Sequence, residues 1–275
     1  MVTLGEGEGT FVIGGPEIEV DIEESKPTWI RWNDYGIGML RKGAKGAVRG
    51  ELVTAISAFE EVTRLGRPDG AMNKARALIK AGRLDEAALS LDKAAQHDPP
   101  PPPWSLDWFG SLVNRENGYY DAALTTLLRL YETRYPGAAD RGFDFSRDVR
   151  LLNELGTVCF AIARQSSDNL QVENLQVALD WFGKVLKEDP ENTTAHWNLA
   201  QIHDLLAASV SSAAEHTEKA DFHRSQHSRY KVDDNARDIA VSIHRANNPP
   251  ANASSEAIVI YPLRPVESKD EEGKK

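Results

Sequence analysis

The stretch from Asp69 to Pro99, DGAMNKARALIKAGRLDEAALSLDKAAQHDP, decides how the rest of the chain is read. Ala71, the alkyl stem of Lys74, Ala75 and Leu78 recur at helical spacing, and Gly82 stands where that helix closes. Leu84, Ala87, Leu91 and Ala94 give a second helix its apolar stripe. Pro99 ends it, because proline lacks an amide hydrogen and disfavours a helical residue before it. Two helices this short cannot bury their apolar faces alone, so the reading requires similar hairpins on either side, each covering the next.

Working outward, such hairpins are present in both directions. Upstream, Trp32, Tyr35, Gly36 and Met39 share one face; after the insertion KGAKGAVRG, Ala55, Phe59 and Val62 share another, closed by Pro68. Downstream, Pro99 to Pro103 form a stiff extended spacer before Leu106, Phe109, Gly110 and Val113, a turn at Gly118, and the stripe Ala123, Leu127 and Leu130. A fourth unit shows Leu152, Leu155, Gly156 and Cys159, an insertion from Gln165 to Asn174, then Ala178, Phe182, Val185 and Pro190. A fifth first helix carries His196, Leu199, Ala200 and His203. The polar helical segment from Ser211 to Arg245, broken near Val232 with Asp233 or Asp234 as an N-cap, is expected to shield the last repeat. The connection from Tyr131 to Arg147 is longer than usual, and Phe143 and Phe145 are expected to pack it down.

The ends of the chain have a different pattern. Thr10 to Ile13, Ile18 to Ile22 and Ala257 to Tyr261 read as short strands that pair with one another or dock on the helices. The expected organisation is a β extension over residues 1–30, a helical repeat domain with C-terminal capping helices over 31–247, and a loop, short strand and charged tail over 248–275.

Composition bounds the function. With 275 residues and 41% hydrophobic content the chain can bury a sizeable core, and its net charge of -10 without a basic block argues against nucleic acid. Its single cysteine, Cys159, lies among apolar neighbours and reads as an inert core thiol; one cysteine makes neither an intrachain disulfide nor a C-x-x-C-H haem attachment. No run of 18 apolar residues suggests membrane insertion, and VTLGEGEGTF after Met1 lacks the pattern of an export signal. A free-standing chain of this kind is expected in the cytoplasm.

The pattern small-x-x-Leu-Gly-x-x-Tyr, then Ala-x-x-x-Phe-x-x-Ala, then Pro resembles the tetratricopeptide repeat. Ala71, Ala75, Leu78, Gly82, Ala87, Leu91, Ala94 and Pro99 carry the resemblance, as do Leu155, Gly156, Ala178, Phe182, Val185 and Pro190 around an insertion. It implies an all-α stack of about five helical hairpins, with the short β-strands added at its N- and C-terminal ends. A looser resemblance, on RWNDYGIG, RGFDFSRD, LNELG, HWNLAQIHD, DDNARD and EAIVIYPL, is to the repeat-containing C-terminal region of bacterial multihaem c-type cytochromes. It implies a periplasmic module of an electron-transfer protein, with haem c in an upstream domain, no cofactor within this chain, and that redox domain or another protein as partner.

No arrangement for catalysis stands out. There is no G-x-S-x-G, and the pairs Glu60 with Glu61 and Asp85 with Glu86 lie where helices meet solvent. In a repeat stack the first helix of each hairpin builds the inner surface, so a partner-binding groove would use Asn33, Asn73, Trp108, Asn153 and Asn198, with Arg76, Lys80 and Gln201 a turn further along. An amide both donates to and accepts from a peptide backbone; the same asparagines could equally tie neighbouring helices together. Grouped Lys and Arg for a terminal carboxylate are missing from the sequence pattern. Six of the seven histidines follow position 195, and His216, His223 and His227 share one helical face, with His223 and His227 spaced for a shared divalent metal. Surface histidines are the plain alternative, and His196 and His203 read as partly buried core residues. The leading expectation is a non-enzymatic protein-interaction scaffold. The alternatives are a metal- or cofactor-binding protein using the late histidines and a homo-oligomerisation module.

Overall fold

The computed structural model describes residues 27–43, 49–209, 212–231, 240, 243–244 and 246–248. Among them all regular structure is helical: α1 (Thr28–Gly43), α2 (Arg49–Arg64), α3 (Pro68–Lys80), α4 (Leu84–Ala95), α5 (Pro103–Glu116), α6 (Tyr120–Glu132), the short α7 (Pro136–Ala139), a 3-10 turn (Phe145–Arg147), α8 (Val149–Gln165), α9 (Asp168–Glu188), α10 (Thr193–Ser209) and α11 (Ala213–Tyr230). The strands expected at both ends of the chain, and the helix expected from Asn235, fall outside the described residues or only partly within them. No helix among the described residues is long and apolar enough to cross a membrane.

The chain divides into two units, Met1–His227 and Ser228–Lys275. In the first, α1 packs on α2, α3 on α4, α5 on α6 and α8 on α9, with α2 against α3, α4 against α5, α6 against α8 and α9 against α10. Of the second, the end of α11 is described, where the Arg229 guanidinium lies 5.4 Å from the Tyr230 ring, together with a short stretch in which Asn248 donates to the His244 carbonyl at 2.9 Å.

The central hairpin follows the rules that its sequence announced. Ala71, Ala75 and Leu78 of α3 are buried against Ala87, Leu91 and Ala94 of α4. Gly82 has φ of 72°, a left-handed conformation that costs glycine nothing, and the Arg83 amide reaches back to the Leu78 carbonyl at 2.9 Å. Pro103 sits in the first turn of α5, where an amide would lack a helical partner anyway. Gly156 of α8 lies under the Phe182 ring of α9, and a Cβ there would meet three ring atoms at 2.8–2.9 Å. Gly36 of α1 repeats this with Phe59 of α2.

One connection differs from expectation. Most of the segment from Gln165 to Asn174, read as an insertion, is the first two turns of α9, whose polar residues tie back to α8: Gln171 donates to the Ala163 and Ser166 carbonyls and Asn174 to the Ser166 hydroxyl. The polar helical segment expected from Ser211 to the break near Val232 is α11, which pairs His216 and His223 with histidines of α10, and among its alanines and aromatics only Ala220 is buried. Tyr135, Phe143 and Phe145 of the segment between α6 and α8 form with Trp104 of α5 a cluster of ring contacts 4.8–6.3 Å apart.

Candidate functional site

The first helices of the hairpins touch in series, α1 with α3, α3 with α5, and α8 with α10. Between α5 and α8 the inserted segment carrying α7 and the 3-10 turn lies alongside. A cavity of about 460 Å³ opens there, lined by Trp104, Trp108 and Phe109 from α5, Phe143 and Phe145 from the insertion, and Arg150 and Leu151 from α8, with Arg141 and Asp148 at its edge.

The walls are held by local polar chemistry. Asp144 accepts the Ser146 amide at 2.9 Å and its hydroxyl at 2.7 Å, which keeps its carboxyl below the usual carboxylate range and closes the turn that carries Phe145. Asp148 accepts the Leu151 amide at 2.9 Å and so caps α8. Asp107, the neighbour of Trp108 in α5, accepts from Arg129 at 3.1 Å and from the Tyr135 hydroxyl at 3.3 Å. Arg115 of α5 reaches Glu154 of α8 at 2.8 Å, while burial raises the Glu154 carboxyl against the pull of that guanidinium. The carboxylates around the cavity are thus engaged. The side chains of Arg141 and Arg150, both exposed, have no ion-pair or hydrogen-bond partner among the described residues.

The groove residues expected from sequence take four different roles. Asn73 is buried and donates to Asn33 at 2.8 Å, while Arg76 donates to Asn73 at 3.0 Å and lies 5.5 Å over the Phe109 ring; burial lowers the Arg76 guanidinium from its ordinary value. These three side chains bridge α1, α3 and α5. Trp108 lines the cavity. Asn153 donates to the Val149 carbonyl at 2.9 Å and to Asn192 at 3.3 Å, and Asn198 donates to the Thr194 carbonyl of its own helix at 2.9 Å. Lys80 is exposed and Gln201 half-buried.

His216, His223 and His227 do not converge on one point. His216 meets His203 at 2.9 Å, His223 meets His196 at 2.9 Å, and His227 donates to the Thr193 carbonyl at 2.9 Å. Among the described residues no group of three or more His, Cys, Asp or Glu side chains is arranged to hold a metal ion. Cys159 lies in the core of the α8 and α9 hairpin, and burial pushes its thiol up to about 11.

Sequence reasoning missed Arg141 and Arg150 as a pair, because they are contributed by different elements and come to line one cavity only in the fold. The usable signal was the length of the inserted segment together with its aromatic and arginine content.

The stack of short hairpins, closed by glycine turns and glycine-to-ring contacts, has a counterpart among known families. Residues 49–102 match the tetratricopeptide repeat. That match runs from α2 to the proline spacer and so contains the central hairpin. No curated protein matches the chain. Among solved structures, IFIT1, in a monomeric mutant determined with m7Gppp-AAAA, shares the fold with a TM-score of 0.55 at 16% identity, over 82% of this chain and 48% of that one. MamA from Desulfovibrio magneticus RS-1 is 20% identical over 72% of this chain and 96% of that chain, with a TM-score of 0.49. YrrB, described as a tetratricopeptide protein with an unusual peptide-binding site, is 18% identical over 76% and 93%, with a TM-score of 0.49. The fold is therefore a stack of helical hairpins, within which residues 49–102 match the tetratricopeptide repeat.

Proposed function

We propose that the protein is a non-enzymatic scaffold that holds a linear segment of a partner protein at the cavity between α5 and α8. The observation that carries this reading is the combination of five aromatic side chains with the guanidinium groups of Arg141 and Arg150, which have no ion-pair partner among the described residues. Aromatic walls desolvate an apolar side chain, and planar guanidinium groups at the rim favour a neighbouring carboxylate. The occupant is an apolar residue flanked by acidic ones. Selection of a random peptide library on the full chain tests this. Enrichment of such peptides, lost in Trp108→Ala and weakened in Arg141→Ala with Arg150→Ala, supports the site. Enriched peptides that bind both variants as well as the parent would sink it.

The finer reading, that this scaffold is the repeat module of a multihaem electron-transfer protein and positions its redox domain, rests on the sequence segments quoted above. Intact mass and the visible spectrum of the native protein decide it. A heavier species with covalent-haem absorption supports the periplasmic module; a colourless species near 30.4 kDa supports a free-standing, cytoplasmic scaffold.

A further inference from the structure

The face of α11 that meets α10 is built from histidine. His216, Ala220, His223 and His227 follow one another at helical spacing, opposite His196, Ala200 and His203 of α10. The two helices pair in antiparallel register: His196 with His223 and His203 with His216, each pair with its Nδ1 atoms 2.9 Å apart. The His203 and His223 rings stack across the seam with centroids 5.8 Å apart. Leu199, Ile202 and Leu206 of α10 belong to the core shared with the preceding hairpin, whereas α11 contributes to burial chiefly through Ala220.

Each pair needs at least one neutral ring, whose bare Nδ1 accepts the shared proton. The His196 Nε2 faces the Pro190 carbonyl at 3.0 Å, which can only accept, so Nε2 carries the proton and a neutral His196 presents a bare Nδ1 to the His223 Nδ1–H. Two nitrogens 2.9 Å apart hold one proton between them. When both rings are protonated, two N–H groups and two positive charges confront each other.

We propose that the histidine seam between α10 and α11 is an acid-sensitive latch, whose protonation releases α11 from the fifth hairpin and uncovers the histidine-bearing face of α10. The charged groups around the seam do not substitute for it. Asp204 of α10 pairs with Arg224 of α11, which also pairs with Asp221, and Glu215 pairs with Lys219 at 2.6 Å. Burial holds His203 at about 4, helped by His216 and Lys219 and opposed by Asp204 and Glu215; burial, then His196 and His203, hold His223 at about 4. Both rings therefore stay neutral at pH 7 and take up protons in the folded chain only in acid, which favours the open hairpin. A metal site would need a third donor, which the seam lacks among the described residues.

Hydrogen exchange of the full chain at about pH 7 and about pH 4.5, corrected for intrinsic rates, tests the latch. Amides of residues 213–227 should lose protection by at least about tenfold on acidification while those of α8 and α9 keep theirs. The His203→Leu with His223→Leu variant, which cannot titrate at the stacked rings, should keep α11 protected in acid. Arg224→Met should leave the midpoint of the parent's pH profile in place, and this arm stands even if the leucine variant fails to fold. Protection of 213–227 that survives acid in the parent, a loss shared equally with α8 and α9, or a midpoint that moves with Arg224 would each overturn the proposal.

Discussion

The α8 and α9 hairpin and the α10 and α11 hairpin have the same architecture and opposite chemistry. In the first, Phe182 is fully buried over Gly156, with Leu155, Ala178 and Val185 around it, and nothing in the contact titrates near neutrality. In the second, four imidazoles occupy the positions where an apolar stripe would lie. The geometry of a repeat thus places helices side by side without dictating what holds them, and two hairpins of one stack can respond differently to the same solvent.

The largest effect expected from this contrast is Phe182→Ala, which empties the ring's site above Gly156 and should cost about 3–5 kcal/mol. Urea denaturation at pH 7 and pH 5 measures it, and the cost should be the same at both, since no titrating group is involved.

Acid should produce the next effect, confined to the histidine hairpin. The unfolded chain protonates His203 and His223 from about pH 6.5 downward. The folded chain does so only near 4. Their contribution to stability is therefore complete above pH 6.5 and declines as pH falls toward 4, on the order of 2 kcal/mol in all after allowance for partial contact with water. Denaturation of the parent and of the His203→Leu with His223→Leu variant across that range should show a pH slope in the former and a flatter one in the latter. Equal slopes would break the comparison.

Smaller again is Asn73→Ala, which removes the link between Asn33 and Arg76 and should cost about 1 kcal/mol while circular dichroism keeps its helical signal. If this variant lost peptide capture without losing stability, Asn73 would belong to the binding surface and not to the ties between helices. Arg224→Gln, which breaks an exposed pair with Asp204, should change stability by less than about 1 kcal/mol at neutral pH, as read by thermal melting.

Much of the fold was legible because helical periodicity and turn chemistry are local. Ala71, Ala75, Leu78 and Gly82 announced α3 and its end, and Gly156 with Phe182 announced a hairpin across an intervening segment. The start of α9 was not legible, since Gln171 and Asn174 look like loop residues until α8 supplies the Ala163 and Ser166 groups they bind. Helix α11 was read as a polar cap because hydropathy counts histidine as polar, whereas a neutral imidazole pair is a packing element.

The candidate site divides in the same way. Trp108 could be placed on an inner helix from spacing alone, but the groove asparagines could not be sorted into ties and free amides, because an amide's role is set by what lies opposite it. By itself the sequence determined most of the hairpin helices, turns such as Gly82 that end them and that they must stack, since backbone capping and apolar spacing act over a few residues. Only the tertiary structure decided that Arg141 and Arg150 share a cavity with five aromatic rings, and that His196 and His203 face His223 and His216. Those juxtapositions depend on how separate elements dock, and docking is governed by contacts between residues distant in the chain.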